Sequence, residues 1–438
     1  MSPHQRKVFS KCKLLYLTFV TFIFPMGIAV EVHAQSDALA EQDQLDETAP
    51  LVSDEELLNE LEYRLELEEY EEAIDAAQEL IDEIEVDGSF YDDALVRPLL
   101  IVGDGSRKLG NYVEALDAYD RAKHITRLNH GLTTIDQIEV VKREAATYEE
   151  LGQLGKANDA YEYIFTVYNQ VHKPFSPELL PSLFDLGDWY VKTYNVFAAR
   201  GLFEYAQVVA KEHLGEQHQH YIRALYGLAS TYRLEKFRPP SSAPIIEADV
   251  PRLYWGDGRP YIYYAELNDF AKGEDALIEL VRIELERSGS TRESQTQAKL
   301  ALADWFVLFD KQIQARAVYS DIWKSYDEEP DEEFLTATFT SPVILFNPLP
   351  ADPEPQPQKL EAQPVNASVT YSLDIDKRGR VQSIDVEVLQ PDSSFTKDFT
   401  RQVSQAIFRP AFVNGKPVKS VDVSFTHDYV FYVIEESD

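Results

Sequence analysis

Small and apolar residues recur at one interval through the first half of this chain. Ala73, Ala115, Ala157 and Ala199 stand 42 residues apart, and each is followed four positions later by another apolar or small residue. A fixed period of this length marks supersecondary units that bury a core only by stacking on their neighbours. Inside a unit the apolar positions keep helical spacing, as Leu57, Leu58, Leu61 and Leu65 do, and Ser53 followed by Glu56 fits a capping box at a helix start. Gly110-Asn111 and Gly152-Gln153 supply turns between paired helices. The pattern predicts five to six helix pairs, over 53–237 and again over 263–341, where Ala276, Ala303, Phe306, Ala315, Tyr319 and Ile322 resume it.

Between those stretches the periodicity breaks. Ala229 and Tyr232 begin a fourth pair, but Pro239-Pro240 fall where its second helix should run. Residues 238–262 then form an insertion dense in turn signals, Trp255-Gly256-Asp257-Gly258-Arg259-Pro260, with Tyr254, Tyr261, Tyr263 and Tyr264 around it. The expectation is a loop that folds back and plugs the groove of the helical array; the alternative is a lip for a bound peptide. Residues 342–364 hold seven prolines and predict a semi-rigid linker. After it the period changes to two. Val369, Tyr371, Leu373 and Ile375 share one face of a strand, DKRGR turns the chain, and Val381–Leu389 makes a second strand. Thr396–Ile407 is helical, with Phe399, Val403 and Ile407 on one stripe. A long last strand alternates Val421, Val423, Phe425, Tyr429, Phe431 and Val433, with His427 in its apolar register as a core histidine. The order β-β-α-β lays a helix on a small antiparallel sheet.

Composition adds a compartment. The chain has 438 residues and a formal net charge of −35. Its first 34 residues read as a secretory signal: basic Arg6, Lys7, Lys11 and Lys13, an apolar run from Leu14 to Val30, and a Val32-His33-Ala34 site that predicts cleavage between Ala34 and Gln35. The alternative is an uncleaved membrane anchor, and only then would the chain contact a membrane. Cleavage removes the one cysteine, Cys12, and takes the net charge to −38, which disfavours nucleic acid as a partner. Residues 35–52 form an acidic, flexible lead-in; from Glu41 to Glu72 there are 14 acidic residues and one basic, Arg64.

Chemistry is sparse. Ser394 and Lys397 match S-x-x-K without its companion motifs. Asp374, Asp376 and Gly379 suggest a hairpin turn more than a calcium loop, because Arg378 takes a ligand position. Gly103, Gly105 and Gly110 have the wrong spacing for a phosphate cradle. His213, His218 and His220 lack the carboxylate or cysteine that would complete a metal site. The reading is of a non-enzyme with no cofactor, no metal and no evident small-molecule substrate; an envelope hydrolase whose site forms only in three dimensions is a distant alternative.

Two resemblances sharpen this. Leu186-Gly187, Tyr190, Ala199, Phe203 and Ala206 reproduce the small and large alternation of tetratricopeptide repeats, as do Gly103, Ala115, Tyr119 and Ala122, and Ala145, Tyr148, Ala157 and Tyr161. The stretch HLGEQHQHYIRALYGLASTY is similar to the 42-residue variant of kinesin light chains. The last segment resembles the C-terminal domain of TonB, the periplasmic energy transducer of Gram-negative outer-membrane transport. The residues that carry this are VTYSLDIDKRGRVQSIDVEVL with its turn Gly379, then Phe408-Arg409-Pro410-Ala411, then Asn414-Gly415-Lys416-Pro417-Val418. It departs from that family where LFNPLPADPEPQ replaces the usual YP-x-x-A segment.

The implied fold is multidomain: an all-α tetratricopeptide solenoid followed, over 365–434, by a small α+β (β-β-α-β) TonB-like domain on a flexible tether. The implied function is an exported, periplasmic scaffold for protein partners linked to TonB-type transport, gripping extended peptides at a sheet edge. A membrane-anchored transducer is the alternative, and edge pairing leaves a homodimer open. The helix face opposite the packing positions offers Asp104, Arg107, Lys142, Glu149, Asp188, Tyr226 and Arg233 as groove residues.

Overall fold

The computed structural model describes residues 54–238, 248–263, 267–327, 330–349, 362–388 and 393–434. The signal segment with Ala34 and Gln35, the acidic lead-in, Ser53, Pro239-Pro240 and the stretch 350–361 lie outside the described residues, as do the side chains of Ser394 and of residues 429–434.

Six helix pairs follow in sequence: α1 (Asp54–Glu66) with α2 (Tyr70–Asp87), α3 (Val96–Lys108) with α4 (Tyr112–His130), and α5 (Ile138–Glu150) with α6 (Leu154–Val171). Next come α7 (Leu180–Lys192) with α8 (Val196–Leu214), α9 (Gln219–Lys236) with α10 (Phe270–Glu286), and α11 (Arg292–Leu308) with α12 (Gln312–Lys324). A short α13 (Glu332–Phe339) ends the helical part. The alanine period marks the fourth residue of each even-numbered helix, and it runs further than four members. Gly273 holds that place in α10 and Ala315 in α12. The step from Ala199 to Gly273 is 74 residues, one period plus 32. The second helix of the interrupted pair is thus displaced beyond the insertion and not lost.

Close packing explains the small residues. A Cβ on Gly103 would stand 2.3 Å from the Tyr119 ring, and one on Gly187 would stand 2.9 Å from Phe203. Each hairpin turn also closes through a residue of positive φ at one repeat position. Glu68, Gly110, Gly152, Tyr194, Asn268 and Asp310 all adopt it. Two of these are the glycines visible in the sequence; the other four take a conformation that costs a Cβ-bearing side chain about 1 kcal/mol.

The described part of the insertion, 248–263, departs from both expectations for it. It packs on α8 at Gly201 and Tyr205, the side of that helix opposite Ala199, Phe203 and Ala206. The Tyr205 hydroxyl donates to the Tyr254 carbonyl and accepts from the Phe175 amide at 2.9 Å. Trp255 packs against Phe175 at 5.2 Å and Tyr261 at 5.1 Å. Aromatic burial has drawn the loop outward, where it roofs α8 and neither plugs nor rims the odd-helix face. One consequence is a buried charge. Arg200 of α8 is fully buried, pairs with Glu235 at 2.6 Å and stacks 3.7 Å from the Tyr232 ring.

The C-terminal segment forms a sheet of order β3-β2-β7, all antiparallel, from β2 (Ala362–Ile375), β3 (Val381–Val388) and β7 (Ser420–Ile434). Helix α14 (Ser393–Val403) lies on it, burying Phe399 and Val403 against Val369, Tyr371, Leu373 and Ile375. This matches the predicted β-β-α-β order, but the helix ends at Val403, and Ile407, expected on its stripe, opens a short strand instead. Four short strands form two further two-stranded pairs, β1 (Val343–Phe346) with β4 (Ile407–Arg409), and β5 (Phe412–Val413) with β6 (Lys416–Pro417).

The expected linker, 342–364, holds a strand, β1, in its described part, while 350–361 lie outside the described residues. β1 lies at the start of the proline-rich stretch and pairs with β4, Val343 opposite Arg409 and Ile344 opposite Phe408. Helices and sheet from residue 54 onward form one compact unit.

Candidate functional site

Charged side chains on the odd-numbered helices face one another across successive repeats. Arg143 of α5 reaches Asp104 of α3 at 2.8 Å, and Arg107 of α3 reaches Glu150 of α5 at 2.6 Å. Lys142 of α5 meets Asp185 of α7 at 2.7 Å, Lys192 of α7 pairs with Glu149, and Arg223 of α9 meets Asp188 at 2.6 Å. Tyrosines from the even helices join in: the Tyr119 hydroxyl donates to Asp104 at 2.6 Å and Tyr161 to Glu149 at 2.8 Å. Burial first, and the adjacent carboxylate second, push both phenols well above their ordinary pKa.

Five of the seven groove candidates are therefore engaged with a neighbouring helix. Asp104, Arg107, Lys142, Glu149 and Asp188 hold repeats in register as much as they offer a surface. Tyr226 is half-buried in the main core, its pKa raised by burial and then by Glu284. Arg233 differs from the rest. It is exposed, and its side chain makes no hydrogen bond or ion pair among the described residues. Surrounding protein nonetheless lowers its pKa, with Asp304 and Tyr194 opposing.

Asp304 of α11 holds the repeat position of Asp104 and Asp188. It accepts from Tyr319 at 2.6 Å, as Asp104 does from Tyr119. Its arginine comes from elsewhere. Arg409 of β4 grips it with both arms, Nε at 2.9 Å and a terminal nitrogen at 2.7 Å, and also donates to the Thr338 carbonyl at 3.3 Å. Burial works against the Arg409 charge, but the Asp304 carboxylate outweighs it and raises the pKa.

Other residues of the FRPA and NGKPV segments pack at this junction or in the sheet beside it. Phe412 packs against Tyr319 at 5.0 Å and Phe339 at 5.2 Å. Phe408 fills the sheet's core, and Pro410 is buried beside it. Asn414 and Gly415 take positive φ in the β5–β6 turn, and a Cβ on Gly415 would stand 3.1 Å from the Trp323 ring of α12. Pro417 pairs with Phe412 across that turn. Gly379, at φ +78°, accepts a 2.9 Å bond from the Phe408 amide and leaves no room for a side chain, since a Cβ would lie 1.7 Å from the Phe408 carbonyl oxygen. This contact ties the turn glycine to the FRPA segment in space. Sequence reasoning missed the docking, and Asp304 with it. The one available signal was the recurrence of aspartate at 104, 188 and 304.

What remains open on the small sheet is its edges. β2 is central, and the outer edges of β3 and β7 have no strand partner among the described residues. β7 pairs along β2 from Ala362 opposite Ile434 to Ile375 opposite Ser420. His427 stacks 6.3 Å from Phe399.

Among the described residues no group of histidine, cysteine and carboxylate side chains has a metal-holding arrangement, and no helix is long and apolar enough to cross a membrane. His218 instead caps α9, its Nδ1 accepting from the His220 amide at 3.2 Å.

No protein-family model matches the chain, and no curated protein does. Among solved structures it is similar to BtubC (BKLC) from P. vanneervenii at 14% identity and TM-score 0.41, covering 60% of this chain and 90% of that one. A kinesin-light-chain protein of Podosopora anserina with nearly identical TPR-like repeats gives 13% and 0.40, covering 53% and 97%. A Rap protein complexed with Competence and Sporulation Factor gives 15% and 0.33, covering 64% and 78%. These scores are below 0.5, and the repeat architecture rests on the chain's own helix register.

Proposed function

We propose that this chain is an exported, non-enzymatic scaffold of a Gram-negative envelope, associated with TonB-type outer-membrane transport, that gathers protein partners on a helical platform and at the edge of its C-terminal sheet. The observation that carries the reading is the long outer edge of β7, which has no strand partner among the described residues, beside a sheet whose motif side chains are already spent on internal packing. A row of unpaired main-chain donors and acceptors takes an extended peptide by strand addition, which is the mode that the resemblance to TonB C-terminal domains implies. On the helical face, Arg233 is the natural contact for a partner, because the charges around it are matched.

The test is photocrosslinking from position 424 or 426 on β7, both exposed, in envelope extracts. Crosslinks to an outer-membrane transport component support the proposal; crosslinks confined to cytosolic proteins reject it. Mass spectrometry of the mature chain should find Gln35 at its start. An intact Met1 would favour the anchored transducer instead.

A further inference from the structure

The first repeat carries charge out of proportion to its size. Residues 54–93 hold 18 acidic side chains and one basic, Arg64, so these 40 residues supply −17 of the chain's −35. Arg97 and Arg121 reach over from neighbouring helices to Glu62 and Glu85, which leaves the surface strongly negative.

Large apolar side chains stand in the open beside this charge. Val86 is 84% exposed and Phe90 62%; their counterparts one repeat later, Leu128 and Leu132, are 56% and 75% exposed. The two turns are held side by side, since Asn129 donates to the Tyr91 carbonyl at 2.9 Å and the Tyr91 ring meets His124 at 5.9 Å. The four residues thus form a ridge across the α2–α3 and α4–α5 turns.

The ridge ends after two repeats, where Gln170 and Glu212 replace Val86 and Leu128. The third repeat shows what covers this rim. Phe175, which holds the repeat position of Tyr91, is covered by Trp255 of the insertion at 5.2 Å. In the first repeat Tyr91 has no such cover among the described residues and is 55% exposed.

We propose that the apolar ridge at the α2–α3 and α4–α5 turns, which begins in the acidic first repeat and continues into the second, is the docking site for a basic protein segment that carries an aromatic anchor. Lysines or arginines meet the carboxylates, and the anchor takes on the ridge the place Trp255 takes on Phe175. This deepens the scaffold reading by giving one partner a chemistry. It uses a surface apart from the β7 edge, so either test can fail alone.

The experiment measures binding of a fluorescein-labelled 14-residue polylysine peptide with a central Trp-Phe pair to the full chain by anisotropy at 150 mM salt. The double variant Phe90→Ser/Leu132→Ser should bind about tenfold more weakly, because exposed apolar contact is lost without touching the core. Val421→Ser, an exposed site on the distant sheet, should leave binding unchanged. Hydrogen exchange should show protection by the peptide at 86–93 and 128–134. Equal affinity for a peptide with serines in place of the aromatic pair, or for the double variant, would mean adsorption by charge alone and would overturn the proposal. So would an absence of binding.

Discussion

The α3–α5 junction and the junction that closes the last helix pair use the same three side chains: an aspartate, a tyrosine 15 residues on, and an arginine from the next structural unit. At the first, Arg143 comes from the following repeat, 39 residues from Asp104, and both charged side chains keep about a quarter of their surface in water. At the second, Arg409 comes from a β-strand 105 residues from Asp304, and the pair is largely buried. Stacked repeats need a terminal unit that covers the last apolar face. Here a different fold does so by satisfying the repeats' own contact, and burial turns a modest ion pair into a critical one.

The sharpest way to break the comparison is to remove both arginines in turn. Arg409→Ala should cost about 3–5 kcal/mol at the junction, because it strands a buried carboxylate. Arg143→Ala, at the more exposed pair, should cost about 1 kcal/mol. Chemical denaturation checks both, with hydrogen exchange across 304–346 and 405–418 for Arg409 and across 96–108 and 138–150 for Arg143, and equal losses would refute the distinction. Phe412→Ala tests the apolar half of the cap and should cost about 3–4 kcal/mol through the cavity left between Tyr319 and Phe339.

A pH measurement sharpens the picture in the capped half. Burial opposes ionisation of Glu284, but Ser290, Ser294 and Arg287, with bonds of 2.6 to 3.0 Å, outweigh it and lower the carboxyl's pKa. A lowered folded pKa gives stability that is present above the ordinary value and lost as pH falls through the folded one. Glu284→Gln should therefore flatten the acid side of the stability profile below about pH 4.5, with little change in the slope near neutrality. The smallest effect expected is a gain. Glu68→Gly relieves positive φ in an exposed turn and should add about 0.5–1 kcal/mol in thermal melts.

The helical part was legible because packing repeats. Small residues at 73, 115, 157 and 199 have to be small wherever paired helices touch, so the period survives in the letters. It faded where Gly273 replaces alanine and where 32 extra residues shift the count. The hairpin turns were legible only at Gly110 and Gly152, since Glu68, Tyr194, Asn268 and Asp310 reach the same φ without the residue that advertises it.

The alternation of β2, β3 and β7 was equally plain, but β1 lay hidden between Pro342 and Pro348, and strands of two or three residues have no period to detect. The docking left almost no trace. A contact between Arg409 and Asp304 belongs to no local pattern, and face alone does not separate groove residues from the inter-helix pairs that five of the seven candidates also form.

The pairing of β1 with β4 fastens the neck of a long excursion of the chain. Phe346 and Ile407, 61 positions apart, meet at this seam, with Asp304 clasping Arg409 beside it, and β2 within the span pairs with β7 beyond it. A protease cut between residues 349 and 362 would therefore produce two polypeptides and still one particle. Severing the backbone and releasing the sheet are separate events in this molecule.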